Sequence, residues 1–287
     1  MDWNHLKKAA AHYLIGIPIK IAVDPSPSSD SFKDMVFRFF LFFLMFSLLS
    51  CGTKQKRESA QKRAGLHMQI ADALLANGKN PEALSELSMA EQLDPKNPVI
   101  QNKLGIVYQL RGKPKEAERR FRKALALNPN YTDVRANLAR LYLDQKQYSQ
   151  ALIEINYVEA DLTYPAPEKA LTLRGMVYFH QGKFSQAESL LEKSYQAQRT
   201  NCLSSYFLGR VYLSEKKLKE ASQILDQSIK NCESSQFEEP LFYSAMAYYE
   251  QGEKLQAKAR AEELLLKYKK SPMAKKAEGL LNILEDL

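Results

Sequence analysis

A single spacing recurs along most of the chain, and it limits the folds that the chain can adopt. Small residues lie at Ala71, Gly105, Ala139, Gly175, Gly209 and Ala245. An alanine follows each of them 12 residues later, at Ala83, Ala117, Ala151, Ala187, Ala221 and Ala257. Both series advance by 34, 34, 36, 34 and 36 residues. Two series with identical steps predict six copies of one helix-turn-helix unit, stacked as an all-α superhelix over residues 64–272.

The residue types in these series have a physical explanation. A small side chain lets the first helix of a unit cross its neighbour closely, and the alanine near the start of the second helix permits the same approach. A third series, three residues after the first, fills the adjacent space with Leu74, Tyr108, Tyr142, Tyr178, Tyr212 and Tyr248. The 36-residue steps place their extra residues in loops around 162–167 and 233–240, where insertions cost little. Residues 273–287 are amphipathic and are predicted to form a capping helix.

Unit two resembles a repeat of the tetratricopeptide family through Leu104, Gly105, Tyr108, Ala117, Phe121, Ala124 and Pro129. The resemblance implies a right-handed superhelix whose first helices line a concave groove. Carried over by position, the partner groove consists of Asn102, Ile106, Arg140, Leu143, Met176, Phe179, Tyr206, Arg210, Phe242, Met246 and Tyr249, with Met68 and Leu213 in equivalent places. Such a lining suits an extended peptide or an amphipathic helix with apolar anchors and a carboxylate. A simpler interpretation is that about half of these side chains only pack between adjacent repeats.

The N-terminal region is predicted to be a targeting segment. Residues 39–49 form an apolar run of 11 residues, broken only by Ser47, after Lys33 and Arg38. This run is too short for an ordinary membrane-spanning helix. The following Leu-Leu-Ser-Cys sequence resembles a bacterial lipoprotein signal, which implies lipidation of Cys51, and Gly52 in place of Asp implies the outer membrane. We therefore expect an N-terminal extension outside the fold at 1–34, a signal peptide at 35–50 and a tether at 51–63. The alternatives are an uncleaved apolar anchor and a buried helix with a chance cysteine.

The sequence contains no recognisable catalytic, metal or cofactor motif. Phosphate-binding glycine loops, HExxH, GxSxG and paired CxxC motifs are absent, and the chain has only four histidines and three cysteines. His67 is predicted to pack in the first repeat, and His180 to lie exposed or along the groove. The net charge of +8 is a mild excess without a basic, aromatic face for bases. These observations predict a protein-binding chain, not an enzyme, with no cofactor, nucleic acid or small-molecule substrate.

Cys202 and Cys232 fall at the start of the first helix and the end of the second helix of unit five. These two ends meet in an antiparallel hairpin, so a disulfide is feasible if the protein is exported to an oxidising compartment. The other interpretation is two unpaired, small apolar side chains.

The combination of lipoprotein signal, tether and about six repeats resembles the outer-membrane lipoproteins that assist type IV pilus assembly, known as pilotins. The irregular segment Asp161–Pro165 between repeats three and four carries much of this resemblance. It implies a lipid-anchored protein facing the periplasm of a Gram-negative bacterium, where it promotes outer-membrane localisation and multimerisation of the pilus secretin. A secretin segment would then occupy the groove. The alternatives are a lipoprotein of outer-membrane β-barrel assembly, which residues 268–277 resemble, and a general cell-envelope scaffold.

Overall fold

The computed structural model of this chain describes residues 55–233 and 237–285, together with Phe37. Within these ranges all regular structure is helical: α1 (55–76), α2 (Asn80–Leu93), α3 (Pro98–Leu110), α4 (Pro114–Leu127), α5 (Thr132–Asp144), α6 (Tyr148–Ala160), α7 (Glu168–His180), α8 (Phe184–Ala197), α9 (Cys202–Ser214), α10 (Leu218–Cys232), α11 (Glu239–Gln251), α12 (Lys254–Lys267) and α13 (Pro272–Glu285). One compact unit extends from Ser59 to Leu287. The preceding unit, up to Glu58, contains the predicted extension, signal peptide and Cys51, which lie outside the described residues.

The helices form six consecutive hairpins, as the repeat spacing predicts. Each odd-numbered helix from α3 to α11 packs against the helix that follows it, and it also contacts the next odd-numbered helix. The resulting stack of helical hairpins is the all-α superhelix that the repeat spacing predicts. The helix α13 contacts both α12 and α11, so it takes the place of a seventh first helix and covers the last hairpin.

The small residues of the repeat lie where the two helices of a hairpin cross. Ala71, Ala139 and Ala245 are fully buried, and so are all six alanines of the second series. At the glycines the gap is filled from the second helix: a Cβ added at Gly175 would lie 2.6 Å from Leu191 Cγ, and one at Gly209 would lie 2.5 Å from Leu225 Cγ. The hairpins therefore depend on a missing side chain at these crossings.

Most of the predicted tether, residues 55–63 of 51–63, differs from the expectation because it is helical. Residues 55–63 are helical and continue directly into the rest of α1. Their side chains are mostly exposed, and burial begins at Ala64. The sequence TKQKRESAQKR lacks an apolar stripe, but it contains no glycine or proline to interrupt a helix. The backbone of α1 thus begins before its apolar face does.

The insertion between repeats three and four forms an ordered connection. Tyr164 is buried, and its hydroxyl donates a hydrogen bond to Asp133 Oδ1 at 2.6 Å. Thr132 Oγ1 donates to Asp161 Oδ2 at 2.5 Å, which fixes the start of the connection against the same end of α5. The extra residues are accommodated because this segment packs against α5.

A disulfide joins Cys202, the first residue of α9, to Cys232, the last residue of α10. Their Cα atoms lie 4.9 Å apart, within the range that a disulfide spans. The antiparallel hairpin brings the two ends together across a sequence separation of 30 residues.

Glu91 connects the first repeat to the second, because it accepts hydrogen bonds from side chains of α3 and α4. Its Oε1 accepts from Arg120 Nη1 at 2.6 Å, Lys123 Nζ at 2.9 Å and Gln101 Nε2 at 3.0 Å. Partial burial raises the pKa of Glu91, but the hydrogen bonds from Lys123, Gln101 and Arg120 outweigh it and lower the pKa from 4.5 to about 2.

We expect Glu91→Gln to reduce the free energy of unfolding at neutral pH by about 1–2 kcal/mol. Since the folded pKa lies below the unfolded value, this stabilisation is complete above pH 4.5 and is lost as the pH falls toward 2. Urea unfolding of wild type and variant at pH 7 and pH 3 measures the effect, and the difference between them should shrink at pH 3. A difference that stays constant over this range would contradict the assigned role.

Candidate protein-binding groove

The first helices α3, α5, α7, α9 and α11 form one continuous face of the superhelix, because each contacts the next. A cleft of about 300 Å³ opens on this face near the starts of α5, α7 and α9. Asp133, Asn137, Arg140 and Lys169 supply polar groups to its wall, and Leu173 and Leu203 supply apolar surface. A cleft with this mixture can receive a segment that carries both polar and apolar side chains.

The predicted groove residues fall into a buried set and a partly exposed set. The buried residues are Asn102, Leu143, Met176, Phe179 and Tyr206. The partly exposed residues are Ile106, Arg140, Arg210, Phe242, Met246 and Tyr249. The buried set packs between neighbouring hairpins, and only the second set offers surface to a partner.

Three of the partly exposed residues are partly covered by the capping helix. Phe242, Met246 and Tyr249 pack in an apolar cluster that includes Ala274 and Leu280 of α13. The helix α13 thus covers part of the groove surface that the repeat register predicts on α11. The accessible part of the first-helix face is centred on α5, α7 and α9.

Tyr206 illustrates why a groove position can become a core position. Its ring packs edge-on against Phe237 at 4.8 Å, Phe207 at 4.9 Å and Tyr243 at 5.9 Å between centroids. The side chain is 1% exposed, and this burial raises the pKa of its hydroxyl. The aromatic residues that surround it come from α9, α11 and the segment before α11, which the repeat spacing does not specify.

Arg210 lies among these aromatic rings. Its guanidinium carbon is 4.4 Å from the ring centre of Tyr243 and 4.6 Å from that of Phe179, and the rings of Tyr206 and Phe207 lie within 5.9 Å. Its Nη1 donates a hydrogen bond to the Tyr206 hydroxyl at 3.1 Å. These contacts hold the cation over the faces of rings from three first helices.

Arg140 has a different environment on the same face. Its Nε donates to Asp144 Oδ1 at 3.0 Å, one turn along α5. Gln109 of α3 donates to the other oxygen of Asp144 at 2.8 Å. The charge of Arg140 is therefore balanced within the protein.

The pKa of His180 reflects the charged side chains on this face. Desolvation lowers its pKa from the ordinary value of 6.5, and the positive charge of Arg210 lowers it further. Arg140 and Lys146 act in the same direction, whereas Asp144 raises the pKa. Most of the charged groups on α5, the turn after it and α9 that affect the pKa of His180 are thus cationic.

We expect Arg210→Gln to raise the pKa of His180, because the substitution removes one of the positive charges that disfavour the imidazolium. Asp144→Asn is the matched control and should lower the pKa. The Cε1–H resonance of His180, followed by NMR through a pH titration, measures both shifts. An unchanged His180 pKa in Arg210→Gln would show that the two side chains do not interact.

The cleft also includes residues outside the predicted groove. Asp133 and Lys169 form an ion pair at 3.2 Å, and Lys169 Nζ also donates to the Tyr164 hydroxyl at 3.2 Å. Burial and the hydrogen bond to Asp133 raise the pKa of Tyr164 to about 12. The sequence does indicate that these positions are equivalent, because Asp133, Lys169 and Leu203 follow the repeat steps of 36 and 34 residues. They lie nearer the helix starts than the predicted groove residues do.

Three further observations bear on the chemistry of the described region. No group of three or more His, Cys, Asp or Glu side chains there is arranged to hold a metal ion. Among the helices that the structure describes, none has both the length and the hydropathy needed to cross a bilayer. His67 is partly buried, and its Nδ1 lies 2.6 Å from Glu86 Oε2.

The chain is similar in sequence to two characterised proteins over different shares of their lengths. It is 24% identical over 192 residues to the type IV pilus assembly protein PilF of Pseudomonas aeruginosa, a match that covers 65% of this chain and 76% of PilF. It is 26% identical over 223 residues to the human protein O-mannosyl-transferase TMTC3, a match that covers 76% of this chain but 24% of that protein.

Solved structures share the fold. The structure of P. aeruginosa PilF has a TM-score of 0.59 at 22% identity and covers 78% of this chain and 98% of its own. PilW, described as a widely conserved type IV pilus biogenesis factor, has a TM-score of 0.60 at 20% identity. The match covers 74% of this chain and 97% of PilW. The Cut9–Hcn1 complex has a TM-score of 0.67 at 16% identity. The match covers 77% of this chain and 43% of the chain from that complex. At these identities the structural likeness shows the fold alone.

Repeat models match the chain along most of the superhelix. Tetratricopeptide-repeat models match residues 109–160, 178–231 and 241–271, and a TPR repeat model matches residues 71–112. These ranges together exceed half of the chain, and they lie within its helical part. The chain therefore belongs to the tetratricopeptide-repeat family.

Proposed function

We propose that this protein is a type IV pilus assembly factor that acts as a protein-binding scaffold. The observation that carries the proposal is the match to PilF, which extends over 76% of PilF and about two thirds of this chain. Tetratricopeptide repeats expose a continuous face for a protein partner, and the cleft across α5, α7 and α9 supplies such a face here. The match to TMTC3 covers a much smaller share of that protein and supports the repeat fold only.

The finer part of the proposal concerns the membrane and the secretin. Lipidation at Cys51 would anchor the protein to the inner leaflet of the outer membrane, with the repeats in the periplasm. There the first-helix face would hold a segment of the pilus secretin and promote assembly of its multimeric ring. The support for this part is the resemblance of residues 35–52 to a lipoprotein signal.

The test compares secretin multimers in wild-type, deletion and complemented strains, using unheated outer-membrane fractions. We expect the multimer to disappear in the deletion strain while the monomer remains, and to return on complementation. Depleted porins beside an intact multimer would instead indicate β-barrel assembly. A strain with normal multimers and normal porins would contradict both and leave a general envelope scaffold.

Cys51→Ser tests the anchor separately. We expect the variant to lose incorporation of an alkyne-labelled fatty acid and to leave the outer-membrane fraction, while the repeats stay folded. Ser50→Ala is the matched control, because it changes the adjacent residue and keeps the thiol. Equal labelling of Cys51→Ser and wild type would exclude Cys51 as the lipidated residue.

A further inference from the structure

The arginines of the first helices differ in whether they form an ion pair. Helices α3, α5, α7, α9 and α11 contain four arginines. Three of them form ion pairs: Arg135 with Glu154, Arg140 with Asp144 and Arg174 with Glu159. Arg210 forms none of the ion pairs found among the described residues. Glu239, at the start of α11, interacts with the Tyr206 hydroxyl but is not ion-paired with Arg210.

The surroundings of Arg210 leave it able to bind an anion. The side chain is partly exposed, and of its five N–H donors the structure commits one, to the Tyr206 hydroxyl. The ring centres of Phe179 and Tyr243 lie 4.6 and 4.4 Å from the guanidinium carbon, so apolar surface adjoins the cation. A carboxylate that reaches the free edge would form charge-assisted hydrogen bonds in a setting of reduced dielectric screening.

We infer that Arg210 is the anchor point for the carboxylate of a Glu or Asp side chain, carried between apolar residues in an extended segment of the partner. The segment would lie along the first-helix face, with an apolar residue against the partly exposed ring of Tyr243. This inference rests on the proposed function only in that the partner supplies the segment.

The geometry favours an internal acidic side chain over a chain terminus. Arg210 lies in the middle of the first-helix face, since Phe179 of α7 flanks it on one side and Tyr243 of α11 on the other. A segment can therefore pass Arg210 in either direction. The flanking rings require apolar neighbours, and Arg140, which Asp144 already neutralises, attracts a second carboxylate less.

Two tripeptide probes test the inference. Acetyl-leucyl-glutamyl-leucinamide carries the charge, and its glutaminyl counterpart differs only in lacking it. NMR titration of the folded protein follows the Nε–Hε resonance of Arg210 and the pKa of His180. We expect the glutamyl peptide to bind about fivefold more tightly than the glutaminyl peptide and to raise the His180 pKa.

Variants assign the preference to Arg210. Arg210→Gln should abolish the difference between the two peptides, whereas Arg140→Gln should change it by less than about twofold. Arg210→Lys keeps the charge but loses the planar donor edge, and it should give an intermediate preference. If Arg210→Gln does not fold, Arg210→Lys provides the test.

Several results would overturn the inference. They are equal affinities of the two peptides for wild type, a preference that survives Arg210→Gln, and no binding by either peptide at millimolar concentration. An acetylated dileucine with a free carboxyl terminus is a further probe, and tighter binding of it than of the glutamyl peptide would indicate a chain terminus instead. These outcomes are independent of the secretin assay. A deletion strain that loses multimers while Arg210→Gln keeps them would retain the proposed function and reject this site.

Discussion

Replacing Gly105 by leucine should destabilise the second hairpin by about 3 kcal/mol or more. A Cβ added at this position would lie 2.5 Å from Phe121 Cδ1 and 2.9 Å from Cζ, distances that even an alanine could not adopt without moving the ring. Phe121 is fully buried, so its ring has little room to move. For a chain of this size the melting temperature should fall by roughly 6–12 °C.

Amide hydrogen exchange locates the effect, because stacked repeats can open locally. Protection should be lost first in α3 and α4. Gly279→Ala is the matched control: it lies in α13, where an added Cβ meets nothing within 4 Å. This control should be neutral or slightly stabilising, since alanine favours a helix over glycine by about 1 kcal/mol. An unchanged melting temperature for Gly105→Leu would contradict the assigned crossing point.

Loss of the disulfide is expected to have a comparable effect. Cys202→Ala combined with Cys232→Ala should lower the free energy of unfolding by about 3–4 kcal/mol, because the unfolded chain regains the freedom of a loop of about 30 residues. Alanine is the suitable replacement, since Cys232 is buried and a serine hydroxyl would need a partner there. Thermal unfolding with and without reductant measures the change.

The reduced wild type should unfold at the same temperature as the double variant. The melting temperature of the double variant should not change when reductant is added. This comparison separates the covalent link from the loss of two sulfur atoms. Two free thiols per molecule at these positions, titrated in the unreduced, denatured protein, would show that the bridge does not form.

The superhelix by itself does not specify a function. The Cut9–Hcn1 complex shares the fold with a TM-score of 0.67 although only 16% of its residues are identical to those of this chain. Repeats of this kind therefore serve unrelated systems with the same backbone. The distinguishing features here are the cleft across α5, α7 and α9 and the ring-enclosed Arg210.

The sequence by itself determined the repeat, its register and the fold. Each hairpin needs a small residue at its crossing and cannot bury its apolar face alone, so the steps of 34 and 36 residues leave few alternatives to a stacked superhelix. The position of Cys202 and Cys232 at adjoining helix ends follows from the same register.

Only the tertiary structure decided which groove positions remain accessible. Met176 and Tyr206 occupy positions that the register assigns to the groove, yet both are 1% exposed because rings and helices from neighbouring hairpins cover them. Arg140 and Arg210 likewise look equivalent in the sequence. One is neutralised by Asp144, whereas the other lies among aromatic rings. The repeat fixes where each side chain leaves its helix, but the neighbours that bury or pair it come from other hairpins.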